Sequence, residues 1–249
     1  MMNHFTKEEL KHLSRFRLSL ERSESVLTVD AANLLEPDLL SRYLMEIQPR
    51  IHSARLNVTG SMLVKRYAFL AAMALFSMTV FGKKLNTDPA NLSLVTDDED
   101  PLWLPSFYFH SLECIPASES KEAWRDELLR DLFRDHISKL ISIVAKEARI
   151  SKLILWENVV LYVVWMYDTL LANKPEYVTI EQIQADYLYV VKEADGELFG
   201  EGMKNPFLPF YREPGQAAEA PKLRQTCCLY YLTSEKRDRC STCPKHCLT

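Results

Sequence analysis

Apolar residues recur at helical spacing through most of the chain, and this pattern predicts a mainly helical body. Two of the helices open at capping-box patterns, one beginning at Thr6 and the other at Thr179. The residues after Thr59 are apolar on nearly every side, so we expect a central core helix that ends at Gly82. The predicted helices cover residues 6–20, 60–81, 120–146, 153–171 and 179–193.

Shorter runs predict a few β-strands. Residues 26–35 and 51–58 carry β-compatible stretches, so one or two strands are expected before the central helix. Residues 92–96 and 102–109 flank a run of carboxylates and predict a hairpin, whose second strand Pro105 would confine to a sheet edge. We expect the carboxylates to be solvated rather than to bind a cation. The expected fold class is mainly α with a small β-hairpin or few short strands (α+β).

Composition sets limits on the function. Hydrophobic residues make up 47% of the 249 and charged residues 26%, as in globular proteins, and the six glycines are few enough to favour long helices. A net charge of −4 argues against nucleic-acid binding. Residues 1–17 lack the features of a secretory signal, so we expect a cytoplasmic protein. Basic residues flank the longest nonpolar stretch, which leaves peripheral membrane contact open.

The chain divides by composition into three parts. Residues 1–212 form the expected helical body, and residues 213–222 are a linker rich in Pro, Ala, Gly and Glu. Residues 223–249 form a C-terminal segment that contains most of the cysteines. The chain has no G-x-G-x-x-G pattern, so we expect no nucleotide or flavin domain in it.

Four cysteines in the C-terminal segment predict a metal site. They occur as an adjacent pair, eleven intervening residues and a C-x-x-C turn, namely Cys227, Cys228, Cys240 and Cys243. Four thiolates suit tetrahedral zinc or a [2Fe–2S] cluster that takes two cysteines per iron. Adjacent cysteines in extended backbone point apart and chelate one small ion awkwardly, which favours a less common site than a zinc ribbon.

Other candidate ligands are weaker. His246 and Cys247 follow the four cysteines, and we expect neither of them to enter the site. Cys114 lies among apolar residues, which is typical of a buried small hydrophobe.

The C-terminal segment is also cationic on an acidic protein. Its basic residues could attract an anion or simply solvate a surface loop. The candidates for anion binding are Lys222, Arg224, Lys236, Arg237 and Arg239.

The cysteine pattern within Arg224-Gln-Thr-Cys-Cys-Leu-Tyr-Tyr resembles the FhuF-like ferric-siderophore reductases. Weaker resemblance continues upstream in Ser61-Met-Leu-Val-Lys-Arg-Tyr-Ala and in Leu155-Trp-Glu-Asn, so it covers most of the chain. The gap after Cys228 is eleven residues, where that family leads us to expect ten. Among relatives, the chain looks most like the Firmicute branch that handles ferric hydroxamate or citrate-type siderophores.

This resemblance implies a cytoplasmic reductase that transfers one electron to the Fe(III) of a siderophore and releases Fe(II). It implies a [2Fe–2S] cluster on the four cysteines and an external electron donor, such as a ferredoxin or a flavoprotein, with possible peripheral contact to a membrane or permease. Two alternatives remain open from the residues. The thiolates could bind zinc in a structural or interaction protein, or they could act as a thiol redox sensor.

Two further groups of residues can be explained either by ligand binding or by structure alone. Lys65 and Arg66 could reach a bound anion, or they could mark an exposed end of the central helix. Several aromatic residues in helical segments could stack on a siderophore, but we expect them to pack in the core. They are Trp124, Trp156, Tyr162, Trp165, Tyr167, Tyr187 and Tyr189.

Overall fold

A computed structural model describes residues 3–118, 120–213, 224–234 and 236–245. Helices dominate it and the strands are short, which confirms the predicted α+β class. The α-helices are α1 Lys7–Ser14, α2 Pro37–Arg50, α3 Leu56–Phe76, α4 Lys121–Leu129, α5 Ser138–Glu147, α6 Lys152–Ala172 and α7 Ile180–Leu188.

Three wider turns of π-helix extend these elements. Ser77–Phe81 continues α3, Arg130–Ile137 joins α4 to α5, and Tyr189–Glu193 continues α7. Each of these joins was predicted as part of one long helix. Gly82 ends the first at a left-handed φ of 59°, as expected of a C-terminal stop.

Helices α3 and α6 form the centre of the core. Most side chains of α3 are buried, and α6 is its main packing partner. Gly60 lets α3 approach the end of α5, because a Cβ there would lie 2.6 Å from the Cβ of Ala148. The C-terminal part of the chain packs onto these two helices, which therefore position the candidate site.

The strands form two small sheets. They are β1 Asn3–His4, β2 Leu18–Ser19, β3 Val29–Asp30, β4 Lys83–Leu85, β5 Leu92–Val95, β6 Ser106–Phe109 and β7 Glu113–Pro116. One sheet has the order β1-β7-β4 and the other β2-β6-β5-β3. The antiparallel pairing of β5 with β6, in which Leu94 faces Phe107, confirms the predicted hairpin.

Residues 26–35 contain the two-residue β3, which confirms one of the one or two strands expected before α3, whereas residues 51–58 contain no strand because α3 begins at Leu56. The expected edge position of the second hairpin strand was wrong. Pro105 precedes β6 instead of lying in it, so β6 occupies an inner position between β2 and β5. The carboxylates before Pro105 organise their own turn, in which Asp100 accepts hydrogen bonds from the backbone N–H groups of Leu102 and Leu104.

The first helix begins as predicted and ends early. The backbone N–H of Thr6 donates to Glu9 Oε2 over 2.6 Å, and the N–H of Glu9 donates to Thr6 Oγ1 over 3.2 Å, which completes the capping box. The helix stops at Ser14, and Arg17 takes a left-handed φ of 68° that turns the chain into β2. The prediction of helix through residue 20 was therefore wrong at its C-terminal end.

In the part of the chain that the structure describes, two helices are long and apolar enough to cross a membrane by length and composition. One is α3 with its π-helical end, Leu56–Phe81, and the other is α6. Within the most apolar window of each, 89% and 61% of the residues are buried inside the protein, as in core helices. The expected buried central helix is confirmed. The boundaries at residues 212 and 222 stay a prediction, because most of the linker lies outside the described residues.

Candidate functional site

The first half of the cysteine segment rests on α3. Ser61 Oγ donates a hydrogen bond to the backbone carbonyl of Cys228 over 2.7 Å. One turn further along α3, Lys65 Nζ donates to Cys228 Sγ over 3.7 Å and lies 4.9 Å from the ring centroid of Tyr230. Residues four apart share a helix face, so Ser61 and Lys65 hold the backbone and the thiol of one cysteine together.

The same segment is anchored on α6 by a buried polar network. Arg224 donates to Asn158 Oδ1 over 2.6 Å and pairs with Glu157 Oε2 at 3.4 Å. Glu157 also accepts the backbone N–H groups of Gln225, over 2.6 Å, and of Thr226, over 2.9 Å, as well as the Thr226 hydroxyl. All three side chains of this arginine, glutamate and asparagine set are buried, so the charge of Arg224 is balanced by Glu157 away from solvent.

Asn158 links the two anchors. Its amide nitrogen donates to both the backbone carbonyl and the hydroxyl of Ser61, each over 3.1 Å. Helices α3 and α6 therefore form one continuous hydrogen-bonded platform beneath residues 224–228.

The four thiols form two pairs. Cys228 is in hydrogen-bonding contact with Cys240, and Cys227 is in hydrogen-bonding contact with Cys243. The backbone N–H of Cys243 donates to the carbonyl of Cys240 over 2.9 Å, which forms the tight C-x-x-C turn that the spacing predicts. The adjacent Cys227 and Cys228 face different partners, as expected for neighbours on extended backbone.

The environment of one thiol favours its charged form. The hydrogen bond from Cys240, with Lys65 and Arg224 nearby, lowers the pKa of Cys228 to about 5. The same hydrogen bond raises the pKa of Cys240, and burial raises the pKa of Cys227. Cys228 is thus the thiol that most readily becomes an anionic ligand.

These residues fit an anionic two-centre group. Among the described residues, no three His, Cys, Asp or Glu side chains are grouped to hold a single metal ion. The contacts of Cys228 with Cys240 and of Cys227 with Cys243 match a group in which each of two iron atoms takes two cysteines, and Cys227 also interacts electrostatically with Cys228. Within the same described part of the chain, Nε and Nη1 of buried Arg224 have no hydrogen-bond partner, so the site also offers unused donors beside its sulfurs.

The expected anion-binding residues do not act alike. Lys236 and Arg237 are exposed, whereas Arg239 is half-buried and donates to the backbone carbonyl of Lys245. Arg224 is only 5% exposed and is engaged by Glu157 and Asn158, so its expected contact with a dissolved anion was wrong.

Several other predicted residues can be placed, and some cannot. Cys114 is buried in β7, as expected of a small hydrophobe, and burial raises the pKa of its thiol. Lys222, His246 and Cys247 lie outside the described residues.

The two basic residues of α3 do not mark an exposed helix end. They lie in the middle of α3, where Arg66 is buried and Lys65 is half-buried. Four of the helical aromatics are core residues as expected, namely Trp124, Trp156, Tyr167 and Tyr187. Trp165 is 44% exposed, so its expected place in the core was wrong.

Pattern reasoning missed the residues that anchor the segment. Ser61, Glu157 and Asn158 had no assigned role, although each lies in one of the two upstream stretches that carry the family resemblance. A polar Glu-Asn pair within a very apolar helix was the signal available, because buried polar side chains require partners.

Comparisons with known families agree with this arrangement. A family model described as ferric iron reductase FhuF-like transporter matches residues 61–193, more than half of the chain. A second model, described as FhuF 2Fe-2S C-terminal domain, matches residues 224–245. The first match begins at Ser61 and includes Glu157 and Asn158, and the second includes all four paired cysteines. A search of curated proteins found no match to the chain.

Proposed function

The chain belongs to the FhuF-like ferric iron reductase family, and on this premise we propose that it reduces the Fe(III) of a ferric siderophore. The [2Fe–2S] cluster of its C-terminal domain would be held by Cys227, Cys228, Cys240 and Cys243. When bound, the cluster supplies one-electron chemistry, so that one electron converts Fe(III) to Fe(II) and an external donor replaces that electron. Fe(II) binds hard oxygen ligands more weakly, which favours iron release.

The pairing of the thiols is the observation that carries this proposal. Cys228 contacts Cys240 and Cys227 contacts Cys243, while no three His, Cys, Asp or Glu side chains among the described residues are grouped around one point. A single zinc ion would instead need four sulfurs around one centre. The donor set therefore supports a two-iron group over the zinc alternative.

In this proposal the helical body holds the cysteine segment in place and sets the charge around its sulfurs. Lys65 and Arg224 place positive charge beside the sulfurs, and positive charge stabilises the more negative, reduced form of a cluster. Glu157 and Asn158 fix the backbone of the segment, so the sulfurs keep their positions relative to α3 and α6. These residues hold and tune the site and need transfer no proton.

Exposed cations of the tail are proposed to steer the reactants. Lys236 and Arg237, with Arg239 partly exposed beside them, would attract an anionic chelate or an acidic donor such as a ferredoxin; a flavoprotein is the other donor class. We place the reaction in the cytoplasm, with a hydroxamate or citrate-type ferric siderophore as substrate.

The test is an anaerobic purification followed by iron, sulfide and zinc assays and visible spectra before and after dithionite. We expect near-equal iron and sulfide and absorption bands that bleach on reduction. Replacing any of the four ligands with serine should remove both the colour and ferric-chelate reduction. Cys114→Ala is the matched control and should keep both, because Cys114 lies in β7. A colourless protein with stoichiometric zinc would refute the proposal.

A further inference from the structure

A cationic and aromatic surface lies beside Cys228 on the helical body. It is built where the end of α1 meets the outer sides of α3 and α6. We call it the α3–α6 face, and it consists of Arg17, Lys65, Arg66, Phe69, Tyr162 and Trp165. The tail cations are not part of it.

Helical spacing and aromatic packing organise this face. Lys65 and Phe69 are one turn apart on α3, and both are half-buried. The Phe69 ring lies 4.6 Å from that of Tyr162 and 6.2 Å from that of Trp165, between centroids. Arg17 places its guanidinium carbon 4.5 Å from the Phe69 centroid. A flat guanidinium is thus held over an aromatic ring on a partly exposed surface.

The three cations have no carboxylate at contact distance in the described part of the chain, and Asp100 attracts the two arginines only from farther away. Among the described residues, no Asp or Glu lies within ion-pair distance of Arg17, Lys65 or Arg66. Arg66 is only 8% exposed and donates to the backbone carbonyl of Leu102 over 2.7 Å. Its Nη1 atom has no hydrogen-bond partner in the described part of the chain. Its guanidinium carbon lies 5.1 Å from the ring centroid of buried Trp103, so Arg66 contributes positive charge from beneath the face. That charge favours an anion bound at the surface above it.

The pKa shifts of the two arginines are consistent with a face that favours a bound anion. Burial lowers the pKa of Arg66 to about 10, and the positive charge of Arg17 adds to the effect. Burial likewise lowers the pKa of Arg17. Two arginines that repel one another and have lost water gain more from an anion than exposed lysines would.

The face also reaches the candidate electron-transfer site. Lys65 contacts Cys228 Sγ at 3.7 Å, and Tyr162 interacts electrostatically with Cys228 as well as with Arg17 and Arg66. An anion bound among these cations would therefore be next to one sulfur of the site.

We propose that the α3–α6 face is the binding site of the ferric chelate and that it selects chelates with a net negative charge. Arg17 and Lys65, which are partly exposed, would bind carboxylate or phenolate oxygens, and Phe69, Tyr162 and Trp165 would contact the ligand framework. Arg66 would add positive charge from beneath the surface. This inference rests on the proposed reductase function and deepens it, because the tail cations would then steer the chelate while the body holds it. A chelate that is neutral or cationic overall would lack the main interaction.

Gallium chelates test this proposal without electron transfer, because Ga(III) resembles Fe(III) in size and charge and is not reduced. Binding to the holoprotein would be measured by calorimetry for gallium citrate, an anionic gallium tris-catecholate and the net-cationic gallium complex of desferrioxamine B. We expect both anionic chelates to bind at least about tenfold more tightly than the cationic one. The relative affinities of the citrate and catecholate complexes would distinguish carboxylate from phenolate as the preferred donor.

Variants locate the binding surface. Arg17→Gln should weaken anionic chelates about tenfold or more, whereas Arg17→Lys should keep most of the affinity because it keeps the charge. Arg42→Gln, at an exposed cation of α2 that is not part of the face, is the matched control and should leave equilibrium affinity unchanged. Lys236→Gln tests the tail, where a residue that only steers the chelate should affect equilibrium affinity little at physiological salt. Circular dichroism would establish that each variant is folded.

The outcomes separate this inference from the proposed function. Equal affinity for the three gallium chelates, or unchanged binding in Arg17→Gln, would refute the α3–α6 face as the binding site. Loss of affinity in Lys236→Gln without a loss in Arg17→Gln would place the binding site in the tail and would also refute the inference. Selective binding that Arg17→Gln abolishes, in a holoprotein that fails to reduce the corresponding ferric chelates, would support the face and refute the reductase function.

Discussion

Glu157→Gln should loosen the C-terminal segment while leaving the helical body folded. Gln keeps the size of the side chain, but it removes the charge and replaces one carboxylate oxygen with a hydrogen-bond donor. The two oxygens of Glu157 accept the backbone N–H groups of Gln225 and Thr226. In the variant the amide NH₂ group of Gln replaces one of these oxygens, so one backbone N–H faces another donor and loses its hydrogen bond. Arg224 also loses its ion-pair partner, because Glu157 is the only carboxylate paired with it among the described residues.

The expected magnitude follows from burial of the pair. The side chains of Arg224 and Glu157 are 1% and 6% exposed, so solvent screens their interaction little. Removing one partner of a buried ion pair typically costs about 3–5 kcal/mol. At about 1.4 kcal/mol per tenfold change, local opening of residues 224–228 should increase by about two to four orders of magnitude.

Amide hydrogen exchange measures this opening directly. The amides of Gln225 and Thr226 donate to Glu157, so their protection reports whether the segment is docked. Amides within α3 and α6 should keep their protection, because the body does not depend on this contact for its core. The rate at which an iron chelator bleaches the holoprotein should rise in parallel.

Glu147→Gln provides the matched control. Glu147 is a half-buried carboxylate on α5 that accepts a hydrogen bond from Ser41, away from the cysteine segment. It should leave exchange at Gln225 and Thr226 unchanged. Unchanged protection in Glu157→Gln as well, or equal loss of protection throughout the body, would refute the reasoning that α6 specifically anchors the segment.

Three further predictions concern the core and the α3 anchor. Burial lowers the pKa of His136 to about 4, so between pH 6.5 and 4 the unfolded state binds a proton that the folded state does not. The free energy of unfolding of the wild type should therefore fall by about 3 kcal/mol over this range. Urea titrations of His136→Gln should lack this pH-dependent loss. Gly60→Ala should lower the melting temperature through about 1–3 kcal/mol of overpacking, measured by calorimetry, and Ala148→Gly should restore it in the double variant. Ser61→Ala removes the donor to the Cys228 carbonyl and should cost about 1–3 kcal/mol of local stability in the cysteine segment. Hydrogen exchange at the docked amides of Gln225 and Thr226 measures this cost, and unchanged protection of both amides would contradict it.

Strong local signals predicted much of the fold. The capping box at Thr6, the N-cap hydrogen bond of Thr179, the left-handed stop at Gly82 and the all-round apolar character of α3 depend on neighbouring residues. They can therefore be identified from the chain alone. The short strands depend on pairing with distant segments, which explains the errors before α3. Residues 51–58 look β-compatible, but tertiary packing of α3 recruits the last three of them into a helix.

The cysteine site was predictable in its chemistry and not in its attachment. Spacing indicated four thiolates, and the adjacent pair indicated that neighbours would face different partners. The anchoring contacts of Glu157 and Ser61 span more than 65 positions, and nothing local specifies such pairings. The burial of Arg224 was missed for the same reason, because a basic residue in a polar segment looks exposed until its partners on α6 are known.

Each thiol pair takes one sulfur from either side of the loop between Cys228 and Cys240. Neither the Cys-Cys step nor the C-x-x-C turn alone can complete a pair, so both pairs depend on closure of this loop. Packing of the segment against α3 and α6 meets the entropic cost of that closure before any ion binds, because the thiols are already in contact. Insertions into the loop should therefore change the affinity of the site little, since the entropy of closure grows only slowly with loop length.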